Sequence, residues 1–195
     1  MNMGKHMGQI ERFTKKYRNN LLHLLLEEYA GFFTRHLPSI EGVMIRRMLY
    51  RALFKKLGDN ALIYPGVYLT HTYGIEAGDH FSMNYGAVMD GRGGISLGNS
   101  VMVGPHAVLV SSTHQHKKID APMCSLGHIM QPLIIQDDVW IGAHAFIRGG
   151  INIGRGVVIG AGSMVLTDIE EYKIVGGSPA RIIADRRDGE AELTC

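Results

Sequence analysis

An aliphatic residue returns at every sixth position from Ile135 through Ile141, Ile147, Ile153 and Ile159 to Val165, and this spacing constrains the chain more than any other feature. Neither the 3.6-residue repeat of an α-helix nor the alternation of a lone β-strand gives a period of six. A coil with flat six-residue sides does. One aliphatic side chain per side points inward, three sides close a triangle, and each inward residue stacks on its counterpart one coil away. Four positions after the first five members stand Val139, Ala145, Ile151, Val157 and Ser163. These small or β-branched residues suit the chain near a corner.

The same phase appears upstream. Leu57, Ile63, Leu69, Ile75, Phe81 and Ala87 are six apart, and Leu97, Val103 and Leu109 resume the pattern after a slip of four residues. The slip falls at Asp90-Gly91-Arg92-Gly93-Gly94, which reads as a glycine-rich bulge at a corner. Between Leu109 and Ile135 lie twenty residues more than the register needs, so an insertion is predicted over residues 110–131. The fifteen inward positions amount to five triangular coils. The expected fold class is mainly β: a parallel β-helix over residues 58–187, preceded by a helical segment (1–57) and followed by a polar tail (188–195).

Residues 8–35 read as one helix, with Ile10, Phe13, Tyr17, Leu21, Leu24 and Leu25 at helical spacing. A second is expected over 40–56, capped by Ser39, with Ile45, Leu49, Leu53 and Leu57 along one side and Arg46, Arg47, Arg51, Lys55 and Lys56 on much of the rest. Such helices would cover the open end of the first coil, which otherwise presents unpaired backbone groups. Residues 1–57 hold eleven Lys/Arg against four Asp/Glu, while residues 58–195 hold nine against fourteen. The basic segment is either a solvated helix face whose Lys and Arg stems cover apolar surface, or a peripheral contact with an anionic membrane surface. No nucleic-acid partner is expected.

No run of about 18 uncharged apolar residues is present, so no spanning helix is expected. The polar start carries no signal-peptide pattern. The two cysteines, Cys124 and Cys195, make no disulfide framework. Together these point to a reducing, cytoplasmic location.

The insertion opens with Thr113-His114-Gln115-His116. An imidazole accepts a proton near neutral pH, so either histidine suits general-base work beside a hydroxyl or amine. Three further stretches carry a family resemblance: Ile135-Gln136-Asp137-Asp138-Val139-Trp140-Ile141-Gly142-Ala143-His144, Ile159-Gly160-Ala161-Gly162-Ser163-Met164-Val165, and Val175-Gly176-Gly177-Ser178-Pro179-Ala180-Arg181. Residues 58–187 resemble the hexapeptide-repeat acyltransferases, in the branch of the maltose, galactoside, nodulation-factor and polysaccharide O-acetyltransferases. The resemblance implies a left-handed coil, a homotrimer, and acetyl-CoA bound between neighbouring subunits. No metal is expected.

On that resemblance His114 is the catalytic base, with His116 as the alternate. Asn84, Asp90 and His116 contact the acceptor, with Arg92 as an alternative to Asp90 for an anionic one. Trp140, Gly142, Ala143, Gly160, Ala161, Thr167 and Arg181 line the path of CoA, and a backbone N–H near Ala143 is the oxyanion donor. The family often has Ser where Ala143 stands. Ala184 occupies the place of a second basic residue, leaving Arg186 and Arg187 as alternatives. Transfer would be direct, without a covalent enzyme intermediate. Two other readings differ in class. One is a metal enzyme like the γ-class carbonic anhydrases, whose histidine spacing is not reproduced around His144. The other is an inactive β-helix scaffold for protein interactions.

Overall fold

The computed structural model describes residues 20–188. Three parallel sheets form the sides of a triangular coil. Side A contains β1 (Lys56–Leu57), β4 (Ile75–Ala77), β7 (Ile95–Leu97), β12 (Leu133–Ile135) and β15 (Asn152–Ile153). Side B contains β2 (Leu62–Ile63), β5 (Ser82–Met83), β8 (Met102–Val103), β13 (Trp140–Ile141) and β16 (Val158–Ile159), and is extended by β18 (Lys173–Gly176) and β19 (Arg181–Asp185). Side C contains β3 (Tyr68–Thr70), β6 (Val88–Asp90), β9 (Val108–Val110), β14 (Phe146–Ile147) and β17 (Met164–Val165).

Inward residues stack in columns through the parallel registers. Side A stacks Leu57, Ala77, Leu97, Ile135 and Ile153. Side B stacks Ile63, Met83, Val103, Ile141 and Ile159. Side C stacks Leu69, Met89, Leu109, Ile147 and Val165. Five coils are present, but the upstream phase differs from the sequence reading. Leu57 pairs with Ala77 and Ala77 with Leu97, whereas Ile135 pairs with Ile153. The first two coils are therefore each two residues longer than the hexad requires. The extra residues lie at two corners, 70–74 and 90–94, rather than in one four-residue slip. Ile75, Phe81 and Ala87 are buried nonetheless, because each side buries two residues, the stacked one and the one two places before it. The alternation of a strand is nested inside the period of six.

At the corners the chain passes through the left-handed region. Asn60, His80, Ser100 and Asp138 after side A, and His106 and His144 after side B, all have φ of 57–58°. Most residue types avoid this conformation.

The insertion is an antiparallel hairpin, β10 (Ser112–His114) paired with β11 (His128–Met130). Its root is seated on two glycines. A Cβ on Gly93 would lie 1.8 Å from the Ser111 carbonyl oxygen, and one on Gly149 would lie 2.4 Å from that of Gln131. Buried Ser111 ties the root to the preceding coil: its hydroxyl donates to the Asp90 carbonyl at 2.7 Å and accepts from the Gly93 N–H at 2.8 Å.

Helices α1 (Leu21–Thr34) and α2 (Ser39–Leu53) pack on the first coil. The part of the first expected helix over 8–19 and the tail beyond 188 lie outside the described residues. Tyr50, Leu53 and Phe54 join the core. Ser39 does not cap α2 as expected. It has φ of 64°, and its hydroxyl turns to the Glu41 carboxylate. Arg46 is not on a solvated face either. It is buried, and its guanidinium donates to the carbonyls of Ile63, Thr34 and Leu37, each at 2.8 Å. One side chain thus joins the end of α1, the following turn and coil one. Buried Glu27 performs the matching task from α1. It accepts the backbone N–H groups of His71 and Thr72 at 2.9 and 2.7 Å, and the Thr72 hydroxyl at 2.7 Å.

The outward residues differ between sides. Side A presents Lys56, Glu76, Ser96, Ile134 and Asn152. Side B presents Leu62, Ser82, Met102, Trp140 and Val158, and side C presents Tyr68, Val88, Val108, Phe146 and Met164. Two sides are apolar and one is largely polar.

Candidate active site

His114 ends β10, opposite His128 of β11 in the hairpin register. Their ring centres are 4.3 Å apart with the planes tilted by 39°. Behind them, Arg92 Nη1 donates to His128 Nε2 at 3.4 Å. His116 turns back so that its Nδ1 donates to the His114 carbonyl at 3.0 Å, which leaves Nε2 as the acceptor nitrogen. Both histidines line a cleft of about 740 Å³ against side C, with Lys117, Ile129, Phe146 and Arg148 among its walls. The glycine-seated root fixes where this hairpin leaves the coil.

A second cleft, of about 510 Å³, lies on side B and is lined by Asn84, Trp140, Gly142, Ala143, Gly160 and Ala161 together with apolar neighbours. The strands explain the grouping. Trp140 stacks on Met102 and Val158 in adjacent coils, and the Gly-Ala pairs follow the inward Ile141 and Ile159 at the same corner. Gly142 has its own structural reason to be small, since a Cβ there would lie 2.6 Å from the Ala161 nitrogen. Asn84 accepts the Tyr85 N–H on its side-chain oxygen at 2.8 Å, leaving its amide N–H₂ as donor.

Thr167 and Arg181 sit further along, in a third cleft of about 510 Å³ at the end of the last coil. Arg181 reaches back to the Ala180 carbonyl, at 2.9 Å. The two alternatives for a second cation are both engaged: Arg186 with Asp138 and the Gly156 carbonyl, and Arg187 with Asp185.

Asp90 is not among the lining residues of these three clefts. Its carboxylate meets His71 Nδ1 at 2.8 Å and accepts the Arg92 N–H at 3.0 Å. Burial raises its pKa, but the hydrogen bonds from His71 and from the Arg92 backbone, with the charges of both residues, outweigh that and hold the carboxyl below its ordinary range. His128 and His71 escaped the sequence reading. His128 becomes visible only once the hairpin pairing is known, and His71 only once the two long coils are aligned.

The structure places His114 and His116 in the cleft on side C, Asn84, Trp140, Gly142, Ala143, Gly160 and Ala161 in the cleft on side B, and Thr167 and Arg181 in the third, with Asp90 in none of them. Among the described residues no group of three His, Cys, Asp or Glu side chains is placed to hold a metal ion.

Residues 132–167 match the family model described as bacterial transferase hexapeptide (six repeats). The chain is 31% identical over 146 residues to a galactoside O-acetyltransferase of Escherichia coli K12, covering 73% of this chain and 70% of that one. It is 26% identical to a putative colanic acid biosynthesis acetyltransferase of the same organism, covering 74% and 77%. Among solved structures, a galactoside acetyltransferase in complex with coenzyme A superposes with a TM-score of 0.78 at 27% identity, covering 90% of this chain and 88% of that one. A hexapeptide-repeat acetyltransferase from Vibrio cholerae O1 biovar eltor, complexed with acetyl-CoA, gives 0.74 at 30% identity, covering 84% and 87%. A coil of nested hexads bearing a histidine hairpin defines the class, and the chain belongs to the hexapeptide-repeat acetyltransferases. Its fold is the left-handed parallel β-helix of that family.

Proposed function

We propose that the protein transfers an acetyl group from acetyl-CoA to a hydroxyl of a sugar or saccharide intermediate, as the names of its galactoside and colanic-acid relatives suggest. The work belongs to polysaccharide modification on the cytoplasmic side, with residues 1–57 making peripheral membrane contact. The observation that carries the reading is the division of the site between two apolar sides. The His114 cleft belongs to side C, and the cleft with Asn84, Trp140 and Ala143 belongs to side B. Pairing side B of one protomer with side C of the next covers both apolar stripes and brings the two half-sites together. This pairing is head-to-tail, and it closes as a ring. The ring is the homotrimer that the family resemblance implies.

In this site acetyl-CoA lies along side B beside Trp140, Gly142, Ala143, Gly160 and Ala161, and its nucleotide end runs toward Thr167 and Arg181. Asn84 donates to the acceptor sugar. The acceptor oxygen attacks the thioester carbonyl carbon while its proton passes to the His114 imidazole. The negative charge that develops on the carbonyl oxygen is met by the Ala143 N–H. The C–S bond then breaks, and the CoA sulfur takes the proton back from His114. Direct transfer of this kind requires both substrates bound at once.

Thiol release from acetyl-CoA tests the proposal, using a panel of sugars and saccharide intermediates with the native chain and His114→Ala. Acceptor-dependent release that is lost in His114→Ala, with acetyl-CoA binding retained, supports it. Unchanged turnover in the variant removes His114 from the chemistry, and no CoA binding by the native chain favours the scaffold or the metal-enzyme reading.

A further inference from the structure

Helix α1 is amphipathic in the opposite sense to an ordinary surface helix. The side it turns to the coil carries Glu27, Gly31 and Thr34, all buried. Its bulky apolar residues point away: Leu22, Leu25, Leu26, Tyr29, Phe32 and Phe33 are 71, 46, 52, 63, 75 and 68% exposed. Their spacing of three, four and seven places them on one stripe of about 120°. A second stripe follows on α2, where Ile40, Met44 and Met48 are 71, 64 and 67% exposed. A soluble surface rarely shows so many large apolar side chains together. Glu27 and Arg46 hold both helices to the coil through backbone groups, so the apolar stripes are not needed to attach them.

From this we infer that the exposed apolar stripe of α1, continued by that of α2, docks on a phospholipid bilayer with anionic headgroups. The inference rests on the membrane contact proposed above and names the surface that makes it. Charge selects the occupant. Among the described residues, 20–57 hold six Lys/Arg against three Asp/Glu, and 58–188 hold nine against twelve. An anionic surface therefore attracts the helical end and repels the coil, which orients the molecule helices-first. The helix is suited to lie flat: fourteen residues give a rod of about 21 Å, and among the described residues no helix is long and apolar enough to cross a membrane. A second copy of the chain is the competing occupant. In the proposed ring sides B and C cover each other; because α1 lies against Tyr68 of side C, the oligomer mass of a variant in the stripe decides whether another copy covers it as well.

The test is co-sedimentation of the full-length chain, without acetyl-CoA, with vesicles of phosphatidylcholine alone and of phosphatidylcholine containing phosphatidylglycerol. Light scattering would measure the oligomer mass in parallel. The expected result is binding to the anionic vesicles that weakens with salt. It should fall at least tenfold in the double variant F32Q/F33Q, with thermal melting, oligomer mass and turnover of a water-soluble acceptor unchanged. Both residues are exposed, so the variant removes no core contact. Three results would overturn the inference: no binding to either vesicle, equal binding by the double variant, or a smaller oligomer mass in it, which would assign the stripe to another copy. Vesicle binding is read without turnover, so failure of the transferase proposal leaves it standing.

Discussion

His114 and His128 face each other across the hairpin as a register pair, with their imidazole centres 4.3 Å apart. If His114 is the base, His128 is a positioning residue that limits the rotamers of the ring beside it. His128→Ala is then expected to lower kcat about tenfold with little change in KM, because a misplaced group loses rate rather than binding. His128→Phe keeps a ring against His114 and should recover most of that loss. His114→Ala should cost about 10²–10⁴-fold and not be rescued. Steady-state kinetics of the three variants with one acceptor decide the matter.

A site divided between sides B and C predicts complementation. H114A and N84A are each expected to be nearly inactive alone. Co-expressed with different tags and purified through both, mixed oligomers should regain a measurable fraction of native turnover, since some interfaces pair an intact His114 with an intact Asn84. Absence of any recovery would place both residues in one subunit's site.

Glu27 is buried and accepts three hydrogen bonds from residues 71 and 72. Hydrogen bonds to a charged group contribute about 1.5–3 kcal/mol each but do not add fully. Glu27→Ala leaves two backbone N–H groups without their acceptor, and a loss of about 2–4 kcal/mol is expected. For a chain of this size that lowers Tm by roughly 5–15 °C. Calorimetry at one fixed protein concentration is the check, so that any association contributes equally to both proteins.

Asp90 predicts a pH dependence. Its folded-state pKa lies below the ordinary value, so the folded state favours the carboxylate. The stability this contributes is complete above the unfolded pKa of about 3.9. It is lost as pH falls from there through the depressed folded value. Asp90→Asn should lower stability at neutral pH and flatten the acid limb of the stability profile below about pH 4. Denaturant titrations of both proteins between neutral and strongly acid pH give the comparison.

Much of the fold was legible because the β-helix is a local repeat: the hexad from Ile135 to Val165 states the side length, and the count of inward residues states the number of coils. The insertion bearing His114 and His116 was visible as an interruption of that repeat, but its pairing as a hairpin was not. The phase from Ile75 to Ala87 was misread by two residues because every side buries two positions, and hydrophobicity alone does not say which one stacks.

The sequence by itself determined the coil, its length and the place of the insertion, since each follows from spacing along the chain, while the residues assigned to acyl transfer follow from the family resemblance of its motifs. Only the tertiary structure decided what Glu27, Arg46, His71 and His128 do. The partners cited lie 12, 36 and 45 residues away in places no period encodes, as Thr34 is from Arg46, Arg92 from His128 and Thr72 from Glu27. It also decided that the apolar side of α1 faces outward. A helical period reports that a stripe exists, but which side is buried depends on what the neighbouring coil offers, and here it offers backbone N–H groups that the Glu27 carboxylate accepts.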